Sequence, residues 1–156
     1  MSRFLRRFFS LLVIASIISS LVSCSYECSA YSVLSEFKAL YGAEGTVYSF
    51  GLPEGDDGYL ELGLYEKIYD TKGAVSREFA IFLNPRPELG PECAIFVCSG
   101  EEERAEALEL SVKRMSLIDP EGKCSLLIRA KNIVFYSTLK DKQRASRLFY
   151  DVLSGL

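Results

Sequence analysis

The hydrophobic positions of this chain begin as one near-continuous block and then break into short blocks with recognisable periods. Phe8 to Leu21 is a 14-residue apolar run interrupted only by Ser10, Ser16, Ser19 and Ser20. Further on, Val33, Leu34, Phe37, Leu40 and Tyr41 recur at helical spacing and predict a helix over Tyr31 to Tyr41. Gly42 and Gly45 would stop it. Thr46 to Leu52 carries Val47, Tyr48 and Phe50 and predicts an edge strand. The segment Pro53-Glu54-Gly55-Asp56-Asp57-Gly58 is a turn by composition. Tyr59 to Tyr69 reads two ways. Leu60, Leu62 and Leu64 alternate as in a strand, whereas Leu60, Leu64, Ile68 and the pair Tyr65/Tyr69 share a helical face. The helix is preferred, with Asp57 available as its cap.

The second half alternates paired strands with helices. Phe79 to Leu83 and Cys93 to Cys98 are compact apolar runs separated by a stretch holding Pro85, Pro87 and Pro91, which predicts a long hairpin connection. Ser99 and Glu102 have capping-box spacing. They predict a helix to about Leu117 that buries Ala105, Leu108, Val112 and Met115 and ends before Pro120. Ser125 to Arg129 and Ile133 to Thr138 form a second hairpin around Ala130-Lys131-Asn132. Asp141 can cap a last helix that turns Ala145, Leu148, Phe149, Val152 and Leu153 inward. This order predicts an α+β fold: an antiparallel sheet of about four to five strands, two hairpins among them, with helices packed mainly on one face.

The N-terminal block differs in kind. Arg3, Arg6 and Arg7 precede it, and Leu21-Val22-Ser23-Cys24 follows at once. A positive segment, an apolar run too short to span a bilayer and a cysteine directly after it predict a cleaved lipoprotein signal over residues 1–23. Cys24 is then the lipidated residue, 24–30 a short tether and 31–156 a single domain. Ser23-Cys24-Ser25 also fits ordinary signal-peptidase cleavage loosely, which would release a protein beginning near Tyr26.

The chain has 18 basic and 21 acidic side chains; with three arginines in the signal, 15 against 21 remain, a net charge of −6. That balance argues against nucleic acid and against a polybasic membrane surface. With Cys24 set aside, Cys28, Cys93, Cys98 and Cys124 remain as possible disulfide partners, and three pairings are open. Odd spacing puts Cys93 and Cys98 on opposite faces of a strand, which disfavours a bond between them.

The lipobox-like cysteine, Glu78-Phe79-Ala80-Ile81-Phe82-Leu83, Pro91-Glu92-Cys93-Ala94-Ile95-Phe96 and a helix reaching Lys113-Arg114 together resemble a family of small, uncharacterised bacterial lipoproteins with a single domain of unknown function. The resemblance spans residues 30–153. It implies an α+β domain held at the outer face of the cytoplasmic membrane by a diacylglyceryl cysteine, and it carries no activity with it.

The chain contains no histidine, which removes Ser-His-Asp, Cys-His and His-ligated metal chemistry. Cys24-x3-Cys28 and Cys93-x4-Cys98 only approach zinc-knuckle spacing, and no Cys-x-x-Cys is present. Asp56-Asp57 lacks the alternate acids of a calcium loop. Glu78 and Glu92 are the carboxylates to consider for hydrolysis, although Glu92 is better read as starting a strand or pairing with a base such as Arg114. Seven tyrosines between Tyr26 and Tyr69 suit the rim of a core better than a partner surface. The expectation is a domain without cofactor, metal or catalytic residues, serving as a binding or accessory module of the cell envelope, with an envelope protein as its partner. The rival expectations are an envelope hydrolase and a secreted protein.

Overall fold

The computed structural model describes residues 26–84 and 90–156. The signal, Cys24 and much of the proline-rich connection lie outside the described residues. The elements are α1 (Ala30–Tyr41), β1 (Thr46–Ser49), α2 (Leu62–Tyr69), β2 (Glu78–Leu83), β3 (Cys93–Val97), α3 (Glu101–Ile118), β4 (Leu126–Ala130), β5 (Ile133–Ser137) and α4 (Lys142–Ser154). The strands form one antiparallel sheet in the order β1-β2-β3-β5-β4. The α+β class and the five-stranded antiparallel sheet are as the pattern predicts, and β1 is an edge strand.

The helices divide two and two over both faces, where the sequence suggested one main face. The central strands explain this. In β2, β3 and β5 nearly every residue is apolar and buried, so both faces need cover. Ala80, Phe82, Cys93, Ile95, Ile133 and Phe135 pack under α1 and α4. Phe79, Ile81, Ala94, Phe96, Val134 and Tyr136 pack under α2 and α3. On the first face Phe135 stacks on Phe149 at 3.8 Å, and Phe37 meets Phe135 edge-on.

Caps settle most helix ends. Ser29 accepts from Ser32 N–H at the start of α1, and Gly42 closes it with φ 76°, a left-handed conformation that glycine adopts without strain. Asp141 caps α4 through Arg144 N–H at 2.9 Å, as expected. Asp57 does not cap α2, whose N-cap is Glu61 with no side-chain hydrogen bond. The capping pair of α3 is also displaced. Gly100 is the N-cap, and Ser99 donates to the Glu103 carboxylate through both its N–H and its hydroxyl.

The buried stripe of α3 is rotated from the expected one. Ala107, Ser111 and Met115 face the sheet, Leu108 is half-buried, and Ala105 and Val112 are exposed. Two polar residues account for the rotation. Ser111 bonds back to the Ala107 carbonyl at 2.6 Å, so its hydroxyl is satisfied inside. Arg114 finds a carboxylate beneath the helix.

Candidate functional site

The only extended buried polar cluster among the described residues lies where β3 begins. Alternation along β3 puts Glu92 on the face of Ala94 and Phe96, under α2 and α3. Its carboxylate is 2 % exposed. Arg114 reaches down from α3 and grips it with both arms of the guanidinium, Nε to Oε1 at 2.9 Å and Nη2 to Oε2 at 2.8 Å. Tyr136 of β5 donates to Oε1 at 2.6 Å. The Tyr69 and Tyr136 hydroxyls lie 2.8 Å apart, which brings α2 into the cluster. Arg114 Nη1 also donates to the Ile68 carbonyl. The backbone of Glu92 is held as firmly: its N–H donates to Thr138 Oγ1, and its carbonyl accepts from Thr138 N–H, both at 2.9 Å.

Charge follows this geometry. The hydrogen bond to Glu92 raises the Arg114 pKa further above its ordinary range, so the guanidinium is a permanent cation. Burial, with the Glu92 charge adding to it, pushes the Tyr69 and Tyr136 phenols well above theirs. The cluster is therefore a closed ion pair with two neutral phenols as donors. Every carboxylate oxygen is engaged, so the arrangement is built to join four elements rather than to receive a proton or a nucleophile. A shallow cleft between α2 and α3 opens beside it, lined in part by Ile68, Leu110, Arg114 and Leu117.

Glu78 is far from this cluster. It pairs in register with Val97, five positions along β3 from Glu92, a separation of roughly 17 Å at strand rise. The two carboxylates also point to opposite faces, since Glu78 accepts from Ala30 N–H at the start of α1. A hydrolytic pair needs its carboxyl groups about 5–9.5 Å apart, so these two are not brought together.

The thiols are dispersed. Cys93 and Cys98 are buried on opposite faces, as their spacing requires; Cys28 borders the α1/α4 face, and Cys124 is half-buried. All four are free. Burial raises the Cys93 pKa well above the ordinary thiol range and that of Cys98 to about 11, which keeps both protonated and unreactive. Among the described residues no three acidic or cysteine side chains converge so as to hold a metal ion. Tyr65 and Tyr69 are core residues, and Tyr26, Tyr31, Tyr41, Tyr48 and Tyr59 are half-buried at its rim.

A groove of about 220 Å³ opens at the same end of the sheet as Glu92, between Tyr41, Phe82, Pro91 and Leu139. At the opposite end, Tyr26 is clasped by Asn132, which sequence reading did not single out. Tyr26 N–H donates to Asn132 Oδ1 at 2.7 Å, and Asn132 Nδ2 donates to the Tyr26 carbonyl at 3.1 Å. Among the described residues no helix is long and apolar enough to cross a membrane. Comparison with known proteins finds no matching family profile, no matching curated protein and no matching solved structure.

Proposed function

We propose that this chain is a lipid-anchored domain on the extracytoplasmic face of the bacterial cell membrane, acting there as a binding or accessory module and not as a catalyst. The observation that carries the reading is the order Arg3, Arg6 and Arg7, the apolar run, then Leu21-Val22-Ser23-Cys24. The two acyl chains of a diacylglyceryl cysteine would hold the domain stably at a membrane. The likeness to small bacterial lipoproteins of unknown function belongs to the same proposal. A non-catalytic role is supported by the lack of histidine and by the saturated Glu92–Arg114 pair. The partner we propose is another protein of the envelope.

The test is the intact mass of the mature protein from a host that processes lipoproteins, read beside membrane fractionation. A chain starting at Cys24 with a diacylglycerol-sized increment, found in membranes and released by Cys24→Ser, is the expected result. An unmodified chain starting near Tyr26 in the medium would overturn the anchor and leave a secreted protein. Affinity capture on the anchored form should then retain an envelope protein, and its absence would count against the accessory role.

A further inference from the structure

The clasp on Tyr26 determines which end of the domain an anchor would hold. Asn132 is the second residue of the two-residue turn between β4 and β5, where Ala130 pairs with Ile133. Its carbonyl accepts from Cys98 N–H at 2.8 Å, so the turn is fastened to the end of β3. Lys131 adds its ammonium 4.4 Å from the centroid of the Tyr26 ring. The first turn of α3 is tied here as well, because Arg104 donates to the Lys131 carbonyl. The start of α1 lies at this end through Ala30 and Glu78. Helix α4 begins at the other end, where Asp141 N–H meets the Tyr41 hydroxyl. Its 13 residues run about 20 Å back along the sheet, so its last turn and Leu156 return to the clasped end.

Cys24 is two positions before Tyr26. Consecutive Cα atoms are 3.8 Å apart, so two residues reach no further than about 8 Å. A tether that short, ending on a clasped residue, leaves the domain little freedom to turn over. We propose that the end of the sheet formed by the β4–β5 turn, the first turn of α3 and the last turn of α4 is the surface that rests on the lipid headgroups. The end carrying the Glu92–Arg114 pair and the groove between Tyr41 and Leu139 then faces away, about 20 Å further out by the length of α4. This orientation rests on the lipid-anchor reading. Charge does not produce it: Glu101, Glu102 and Glu103 in the first turn of α3 share this end with Arg104, Arg129 and Lys131, a mixture that gives little net attraction to an anionic surface. The covalent anchor and the short tether set it.

The chain has no tryptophan, so single substitutions report their own position. Glu102→Trp and Leu156→Trp mark the proposed membrane end, and Lys140→Trp marks the opposite end; all three replace exposed residues. The full-length chain would be produced with its lipid, its mass recorded, and placed in phosphatidylcholine vesicles containing a dansyl-headgroup lipid. Energy transfer should be several-fold greater from positions 102 and 156 than from position 140. A Gly/Ser insert of about ten residues between Ser25 and Tyr26 should level the three signals, because a flexible coil removes the constraint. A correct diacylglyceryl mass with equal transfer from all positions, or with the order reversed, overturns the orientation alone. A chain without the lipid increment overturns the anchor reading and this inference together.

Discussion

Arg114→Met tests whether the buried ion pair is the joint that fixes α3 to the sheet. Methionine keeps most of the alkyl stem and removes the charge and its donors. Glu92, 2 % exposed, would retain the Tyr136 hydroxyl as its one side-chain donor. Removing one partner of a buried pair costs about 3–5 kcal/mol, because the remaining charge is left in a low-dielectric site. For a folded region of about 130 residues, the unfolding entropy is roughly 0.28 kcal/mol/K. The melting temperature should therefore fall by about 11–18 °C. Out of a total stability of about 5–15 kcal/mol, that is a third or more in most cases.

The double variant Glu92→Leu/Arg114→Met separates the worth of the pair from the penalty of breaking it. It removes both charges and leaves apolar side chains of similar volume, a replacement that in buried pairs is often neutral or stabilising. Urea unfolding of the parent, both single variants and the double should give a cycle in which the double is more stable than Arg114→Met alone, with a coupling of about 2 kcal/mol or more. A loss below about 1 kcal/mol for Arg114→Met, the range of exposed pairs, would refute the reasoning. So would strict additivity, since the two side chains would then not act as a unit.

Other outcomes follow from single contacts. Tyr136→Phe takes a donor from Glu92 and the partner from Tyr69 and should cost about 1–3 kcal/mol; adding Tyr69→Phe should cost less than it does alone, read by the same urea cycle. Gly45→Ala would place a Cβ 2.4 Å from the Leu83 carbonyl oxygen at φ +148° and should destabilise by about 1–3 kcal/mol, whereas Gly63→Ala meets open space in a helix and should stabilise by about 0.4–1 kcal/mol, both seen as shifts in thermal midpoint. Burial raises Cys98 from 9.0 to about 11 and Tyr65 from 10.0 to about 12, so the unfolded chain releases these protons first. Stability should hold below pH 9 and decline as pH rises from there through 12, and a flat stability profile across that window would contradict the burial of both groups. In thiol titration of the folded protein, Cys28 and Cys124 should react before Cys93, which is fully buried.

Period and caps made most of the architecture legible from the chain. The glycine stop at Gly42 and the Asp141 cap depend on local chemistry, and each lies where that chemistry put it. The second hairpin is also where expected, but Ala130 belongs to β4 and pairs with Ile133, so its connection is the two residues Lys131-Asn132 and not three. The face of α3 was not legible for the opposite reason. Its orientation is decided by Ser111 and Arg114, polar residues that hydropathy assigns to solvent, and by partners far away in sequence. The helical reading of Tyr59 to Tyr69 holds only from Leu62 onward; Tyr59 pairs with Ser49 in an isolated bridge, so the strand-like alternation of Leu60, Leu62 and Leu64 marks a transition between the two.

The clasp and the ion pair together suggest why the two ends of this sheet are built so differently. At the Glu92 end, fixation comes from a buried charge whose loss is expensive, and it links α2, α3, β3 and β5. At the Tyr26 end it comes from two hydrogen bonds by one half-buried asparagine and a cation over a ring. Such contacts are worth about 1 kcal/mol each, enough to hold a strand of chain against the domain but not enough to define the fold. Asn132→Ala should therefore free Tyr26 while leaving the melting temperature within a few degrees of the parent. In the anchored protein the same change should raise proteolytic cleavage near Tyr26 and reduce the difference in energy transfer between the two ends. If Asn132→Ala instead unfolds the domain, the clasp is part of the core and the division of labour between the two ends is wrong.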